Sequence, residues 1–139
     1  MATAVERLAA AIGYPERVPD GATSYTFRVD DDDLSAYVDG GRLVLSQVIA
    51  RPGGDDAPPG LLETLTGYAV GRILKEEAIL AYDPEDAAVI LWQSAPADAT
   101  PTALRRLFES FSTSCDWWRE RVEEQTAPKP QFPEILIRP

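Results

Sequence analysis

The sequence has no histidine and a single cysteine, Cys115, among its 139 residues. Without imidazole it lacks the commonest general base and metal ligand near neutral pH. Zinc motifs and serine–histidine triads are therefore not expected. One thiol cannot close an intrachain disulfide, which fits a reducing compartment. No P-loop and no G-x-G-x-x-G occurs, so the familiar phosphate cradles are missing as well. No stretch approaches the roughly 20 apolar residues of a membrane span. The N-terminal residues, with Glu6 and Arg7 among them, do not read as a signal peptide, and a cytoplasmic location is expected. A basic surplus is absent too: 13 Lys and Arg stand against 23 Asp and Glu, a formal net charge of -10. Such a field repels phosphate and anionic lipid, so neither nucleic acid nor membrane is an expected partner.

What is present is a globular balance, 45% hydrophobic and 26% charged, at the size of a single domain. Val5, Leu8, Ala9 and Ile12 share one face of a first helix, which Gly13 and Pro15 stop. Tyr25, Phe27 and Val29 alternate as a first strand, and the acidic run Asp30, Asp31, Asp32 and Asp33 reads as the next loop. Leu34, Ala36 and Val38 mark a second strand. Asp39, Gly40 and Gly41 make a tight hairpin connection into a third strand running from Arg42 to Ala50. That strand is apolar on both faces, with Leu43, Leu45 and Ile49 on one and Val44 and Val48 on the other, so it is expected to be central and covered on both sides. A loop rich in proline, glycine and aspartate leads to helix two, from Leu61 to about Lys75, which is apolar on more than one side.

Two short strands, starting near Ala78 and Ala88, flank the turn Asp83, Pro84, Glu85 and Asp86. Thr100 and Pro101 then read as an N-cap followed by proline at the first helical position. Leu104, Leu107, Phe108, Phe111, Cys115, Trp118 and Val122 give the strongest helical period in the chain. The expected fold is α+β, in the order α-β-β-β-α-β-β-α, with a twisted, mostly antiparallel five-stranded sheet and three helices. Residues 1–125 form one domain in this reading. Residues 126–139 form a Pro-rich tail whose end, from Phe132 to Ile137, is apolar enough to dock on something.

The acidic run only partly matches a calcium loop. Starting at Asp31, Asp33 and Ser35 fit, but Ala36 falls at the glycine position and Arg42 at the glutamate position. A solvated hairpin loop is the better reading, and no metal or other cofactor is expected. Glu76, Glu77 and the acids of the 83–86 turn are expected to be exposed, which disfavours a carboxylate enzyme. Cys115 lies on the apolar stripe of the last helix and reads as a small core residue. Trp118 faces the core on the same stripe, and Trp117 lies nearer its border.

The whole pattern resembles the class I effector chaperones of type III secretion. The likeness runs from Met1 to about Glu123. It rests on the short first helix, the three-strand run with its Asp39, Gly40, Gly41 turn, and helix two opening at Leu61, Leu62 and Glu63. It continues through Ala78 to Pro84 and Ala88 to Trp92 into a long last helix with Phe111, Trp118 and Arg119. The Pro-rich tail departs from the compact end expected of such proteins. The resemblance implies a bacterial cytoplasmic homodimer, not an enzyme and tied to virulence. It would bind the N-terminal segment of a secreted effector as an extended, non-globular chain and keep it soluble for secretion. Added backbone bonds at a sheet edge would supply affinity, and side-chain pockets selectivity. It further implies a dimer face on helix two with Leu65, Tyr68, Ala69 and Ile73. Val5, Leu8, Ile12, Phe27, Tyr37, Val44 and Val48 would contribute to the effector groove, although core packing accounts for each of them as well. The alternatives are an immunity or adaptor protein that binds a folded partner domain, and a small carboxylate enzyme.

Overall fold

The computed structural model describes residues 2–30, 32–52, 60–72 and 77–126. The element order is α1 (Ala4–Ile12), β1 (Ser24–Val29), β2 (Asp32–Asp39), β3 (Arg42–Ala50), α2 (Leu61–Arg72), β4 (Ile79–Asp83), β5 (Ala88–Pro96) and α3 (Pro101–Thr126). The strands form one sheet in the order β1-β2-β3-β5-β4, and every neighbouring pair is antiparallel. The α+β expectation holds, with β3 at the centre and β1 and β4 at the two edges.

Helix α1 starts where its sequence can satisfy the free N–H groups of a first turn. Thr3 accepts from the Glu6 N–H at 3.2 Å, and Glu6 Oε1 accepts from the Thr3 N–H at 2.9 Å, a reciprocal capping box. The same carboxylate oxygen takes the Gly21 N–H at 3.2 Å, and Thr3 Oγ1 donates to the Ala22 carbonyl at 2.6 Å. These donors favour the ionised form and hold the Glu6 carboxyl below its ordinary value, the Thr3 backbone N–H being the main cause. At the other end Gly13 adopts φ 67°, and its N–H returns to Ala10 at 3.2 Å. Arg105 of α3 donates to the Ala11 carbonyl at 3.0 Å. Arg7 donates to the carbonyls of Ala97, at 2.8 Å, and Ala99. Both ends of this short helix are thereby tied to distant chain.

The hairpin between β2 and β3 has Gly40 and Gly41 at φ 56° and 76°, with Asp39 paired to Arg42 around them. Two successive positive φ values match a type I′ connection, which glycine adopts without penalty. Part of the acidic run lies in a strand rather than in a loop. Asp32 and Asp33 belong to β2, and the turn is tight enough that Asp30 takes φ 49°. The strand tolerates these acids because cations meet them: Arg119 pairs with Asp32, and Arg28 lies 3.4 Å from Asp33 across the hairpin.

Helix α3 follows its expected period. Thr100 caps it, accepting from the Ala103 N–H at 3.1 Å. Leu104, Leu107, Phe111, Cys115 and Trp118 are buried on one stripe, while Phe108 and Val122 are packed at its margin. Together with α1 and the start of α2 they cover one face of the sheet, closing over Phe27, Leu34, Ala36, Leu43, Leu45, Val89 and Leu91. Gln47 and Gln93 interrupt this inner face. Gln93 donates to Glu77 at 3.2 Å and Ser110 at 3.3 Å, and Gln47 to the Asp33 carbonyl at 3.2 Å. The expectation that β3 is covered on both sides fails within one chain. Val48, on its second face, is 42% exposed.

Candidate binding surface

Strand alternation places Tyr37, Val44, Val48, Ile90, Trp92 and Ile79 on the sheet face opposite the helices. The pairing register brings them together. Tyr37 lies opposite Val44, Val48 opposite Ile90, and Trp92 opposite Ile79. None belongs to the core cluster or packs against it. Tyr37, Val48 and Ile79 are 38%, 42% and 48% exposed, Ile90 and Trp92 are half-buried, and only Val44, at 9%, is shielded. Serines and a threonine fill the row between them: Thr26, Ser35 and Ser46 stand in line with Trp92. The outcome is a shallow apolar surface with hydroxyl groups, bordered by Asp33 and Asp39. Greasy side chains can be gripped there without an enclosed cleft.

The residues expected at an effector groove divide into three groups. Val5, Leu8 and Phe27 are fully enclosed at 0% exposure, because the apolar face of α1 closes on the inner sheet. As they stand they have no surface to offer a partner, and they shape the fold from within. Ile12 is half-buried and lines a separate groove of about 480 Å³ with Arg105 and Phe108, between the end of α1 and α3. Tyr37, Val44 and Val48 alone share the outer face. Sequence reasoning did not group Ile79, Ile90 and Trp92 with them. Their alternation was visible, but only the register of β3 with β5 and of β5 with β4 brings them alongside Val44 and Val48.

The expected dimer residues are similarly split. Leu65 is 0% exposed inside its own subunit, Tyr68 and Ala69 are half-buried, and Ile73 lies outside the described residues. Tyr68 meets the edge of Trp117 at 5.9 Å between ring centroids, and Arg121 sits 4.7 Å over the same indole. Among the described residues in this part of the chain, the large apolar side chains left exposed are others: Val70 on α2, at 68%, and Ile79 and Tyr82 on the edge strand β4, at 48% and 46%.

Among the described residues no cluster of three or more histidine, cysteine or acidic side chains is arranged to hold a metal ion. Nor is any helix long and apolar enough to cross a membrane.

Comparison with known proteins decides the family. The family model described as "Tir chaperone protein (CesT) family" matches residues 3–119. The chain belongs to the Tir chaperone protein family. It is thus a chaperone of type III secretion, in keeping with the resemblance drawn from its element order. Solved structures share the fold at low identity. A chain of the HopA1-SchA chaperone-effector complex is 20% identical, with a TM-score of 0.62 over 81% of this chain and 88% of that one. A chain of the ExsC-ExsE complex is 17% identical, with a TM-score of 0.65 over 85% and 92%. One from the ExoU-SpcU complex of Pseudomonas aeruginosa is 18% identical, with a TM-score of 0.59 over 85% and 96%. No curated protein matches the chain.

Proposed function

We propose that this chaperone holds the N-terminal segment of a secreted effector as an extended chain across the outer face of its sheet, in the bacterial cytoplasm and without enzymatic activity or a cofactor. The observation that carries the reading is the apolar surface of Tyr37, Val44, Val48 and Trp92, which the subunit's own core does not use. A folded soluble protein gains nothing by leaving such a surface open unless something covers it. An extended segment suits it better than a compact ligand, because the surface is long, shallow and lined with hydroxyls. The outer edge of β1, away from the proposed dimer contact, gives such a segment a place to continue as an added strand. One neighbour of the same fold was solved in a chaperone-effector complex and another in a heterodimeric complex of a type III secretion system, which agrees with this partner class.

The assembly proposed is a homodimer joined through α2 and β4. Its contact residues are Val70, Ile79 and Tyr82 rather than Leu65, whose side chain is spent in its own core. Light scattering should give twice the 15.2 kDa chain mass; a strict monomer would remove this part of the reading.

The function is tested by purifying the chain from its native host and identifying what accompanies it, then measuring binding of that protein's isolated N-terminal segment. A secreted protein whose N-terminal segment binds alone is the expected result. Recovery of an intact folded domain only, with no binding by a separate segment, would replace the chaperone reading with an immunity or adaptor role.

A further inference from the structure

We infer that the two ends of α1 bracket a short open window on the outer edge of β1, at Ser24 and Thr26, and that the Tyr14 hydroxyl ends any strand added there. The inference rests on the proposed function and narrows it from a whole edge to one register on that edge.

The direction of the main-chain groups comes first. The Val38 N–H donates to the Thr23 carbonyl at 3.0 Å, so these residues form a hydrogen-bonded pair at the start of the β1–β2 ladder. Such pairs recur at every second residue of an antiparallel ladder. Tyr25, Phe27 and Val29 therefore turn their N–H and C=O groups to Ala36, Leu34 and Asp32 of β2. Ser24, Thr26 and Arg28 turn theirs outward, to the free side of the sheet. The Arg28 N–H agrees with that phase, because it donates to the Tyr14 hydroxyl at 3.2 Å rather than to β2.

Both ends of this outward row are taken by residues that flank α1. Just before β1 the Ala22 carbonyl accepts from Thr3 Oγ1 at 2.6 Å, and Thr3 is the N-cap. At the far end stands Tyr14, next to the C-cap Gly13. Between them Ser24 and Thr26 are exposed, and among the described residues no hydrogen bond reaches either from beyond β2. Tyr14 is fixed in place. Its ring meets Phe27 edge-on at 4.8 Å and Tyr25 at 6.0 Å between centroids. Its hydroxyl donates to Glu16 Oε2 at 3.2 Å, which leaves an oxygen lone pair for the Arg28 N–H. The hydroxyl thus holds the place that a carbonyl of an added strand would take.

The register also says which segment fits. Ser24 lies opposite Tyr37 and Tyr37 opposite Val44, so an apolar residue added beside Ser24 continues the apolar row of the outer face. The next residue of an extended segment turns to the other side of the sheet. There it meets the rings of Tyr25 and Tyr14 and the exposed Glu16, which suits a lysine or arginine. The occupant is an extended segment of alternating apolar and basic residues, and its charge complements a chain of net charge -10.

The probe is a short capped peptide of alternating valine and lysine, and the readout is amide exchange by NMR on the full chain. Tyr14→Phe keeps the ring and removes the oxygen. Without peptide, this variant should exchange its Arg28 N–H at least tenfold faster, with Phe27 unchanged. With peptide, the unaltered chain should slow at Ser24 and Thr26 at least threefold and stay as it was at Arg28. In the variant the slowing should extend to Arg28. An Arg28 rate that ignores Tyr14→Phe would overturn the inference. Slowing at all three residues of the unaltered chain would do so as well, and strand addition at β1 would then stand without its stop. Slowing at neither Ser24 nor Thr26 would remove the window. Val48 and Trp92 signals that still moved with the peptide would in that case keep the outer face as the binding surface.

Discussion

The two faces of one sheet differ more than the strands that build them. Leu43 and Leu45 on the inner side of β3 are 0% exposed, whereas Val48 on its outer side is 42% exposed. These residues belong to one strand and have similar hydropathy. What separates them is that α1, α2 and α3 bring apolar stripes to one side, and among the described residues nothing does so on the other. Burial on the inner side stabilises this subunit. Exposure on the outer side costs it solubility and keeps surface available for a partner, which the acidic excess of the chain makes tolerable by keeping copies apart.

The largest break in that comparison comes from the inner face. Trp118→Ala or Phe27→Ala should cost about 3–5 kcal/mol, because each removes a fully enclosed ring and leaves a cavity. Urea unfolding measures it, and an unchanged midpoint would place these rings outside the core. The outer face should behave in the opposite way. A Tyr37→Ser, Val48→Asp double variant should keep its unfolding free energy within about 0.5 kcal/mol. It should still lose at least tenfold in affinity for the effector segment, about 1.4 kcal/mol. Equal affinity in the variant, read by calorimetry, would take the outer face out of the binding site.

Smaller effects sharpen the picture at the start of α1, whose apolar face closes the inner side. Thr3→Ala removes the N-cap and should destabilise by about 1 kcal/mol. The smallest effect depends on pH. Folding lowers the Glu6 pKa below its ordinary 4.5, chiefly through the Thr3 backbone N–H. The group therefore contributes its stability in full above that ordinary value and loses it as pH falls through the lowered folded value. The gap in unfolding midpoint between the native chain and Glu6→Gln should be widest near neutrality and close in acid. A gap that stays constant from about pH 7 to about pH 3 would show that the carboxylate charge has no part in the cap.

Much of the architecture could be read directly from the residues. The strand β3 and the helix α3 follow from hydrophobic period alone, and the glycines at 40 and 41 and the pair Thr100 and Pro101 mark their boundaries by backbone chemistry that acts locally. The acidic run departs from the loop expected of it for a physical reason. Four aspartates repel one another and favour a loop, but Arg119 and Arg28, distant or across a hairpin, neutralise two of them and allow β2 to start early. The binding surface was legible only in part. Period two shows that Tyr37 and Val48 point away from Leu34 and Leu45, yet nothing in the alternation says which side the helices take. For that reason the sequence alone does not separate Val5, Leu8 and Phe27 from Tyr37, Val44 and Val48, which lie on the opposite side of the sheet.

By itself the sequence determined the order and type of the elements, the absence of histidine chemistry, and the presence of more apolar surface than one small core requires. Those properties are local or additive, so they can be counted along the chain. Only the tertiary structure decided which apolar residues close the core and which remain to be covered, because that depends on strand register and on the side to which helices dock. Both are set by contacts between residues far apart in the chain, such as Val44 with Ser94 and Arg119 with Asp32.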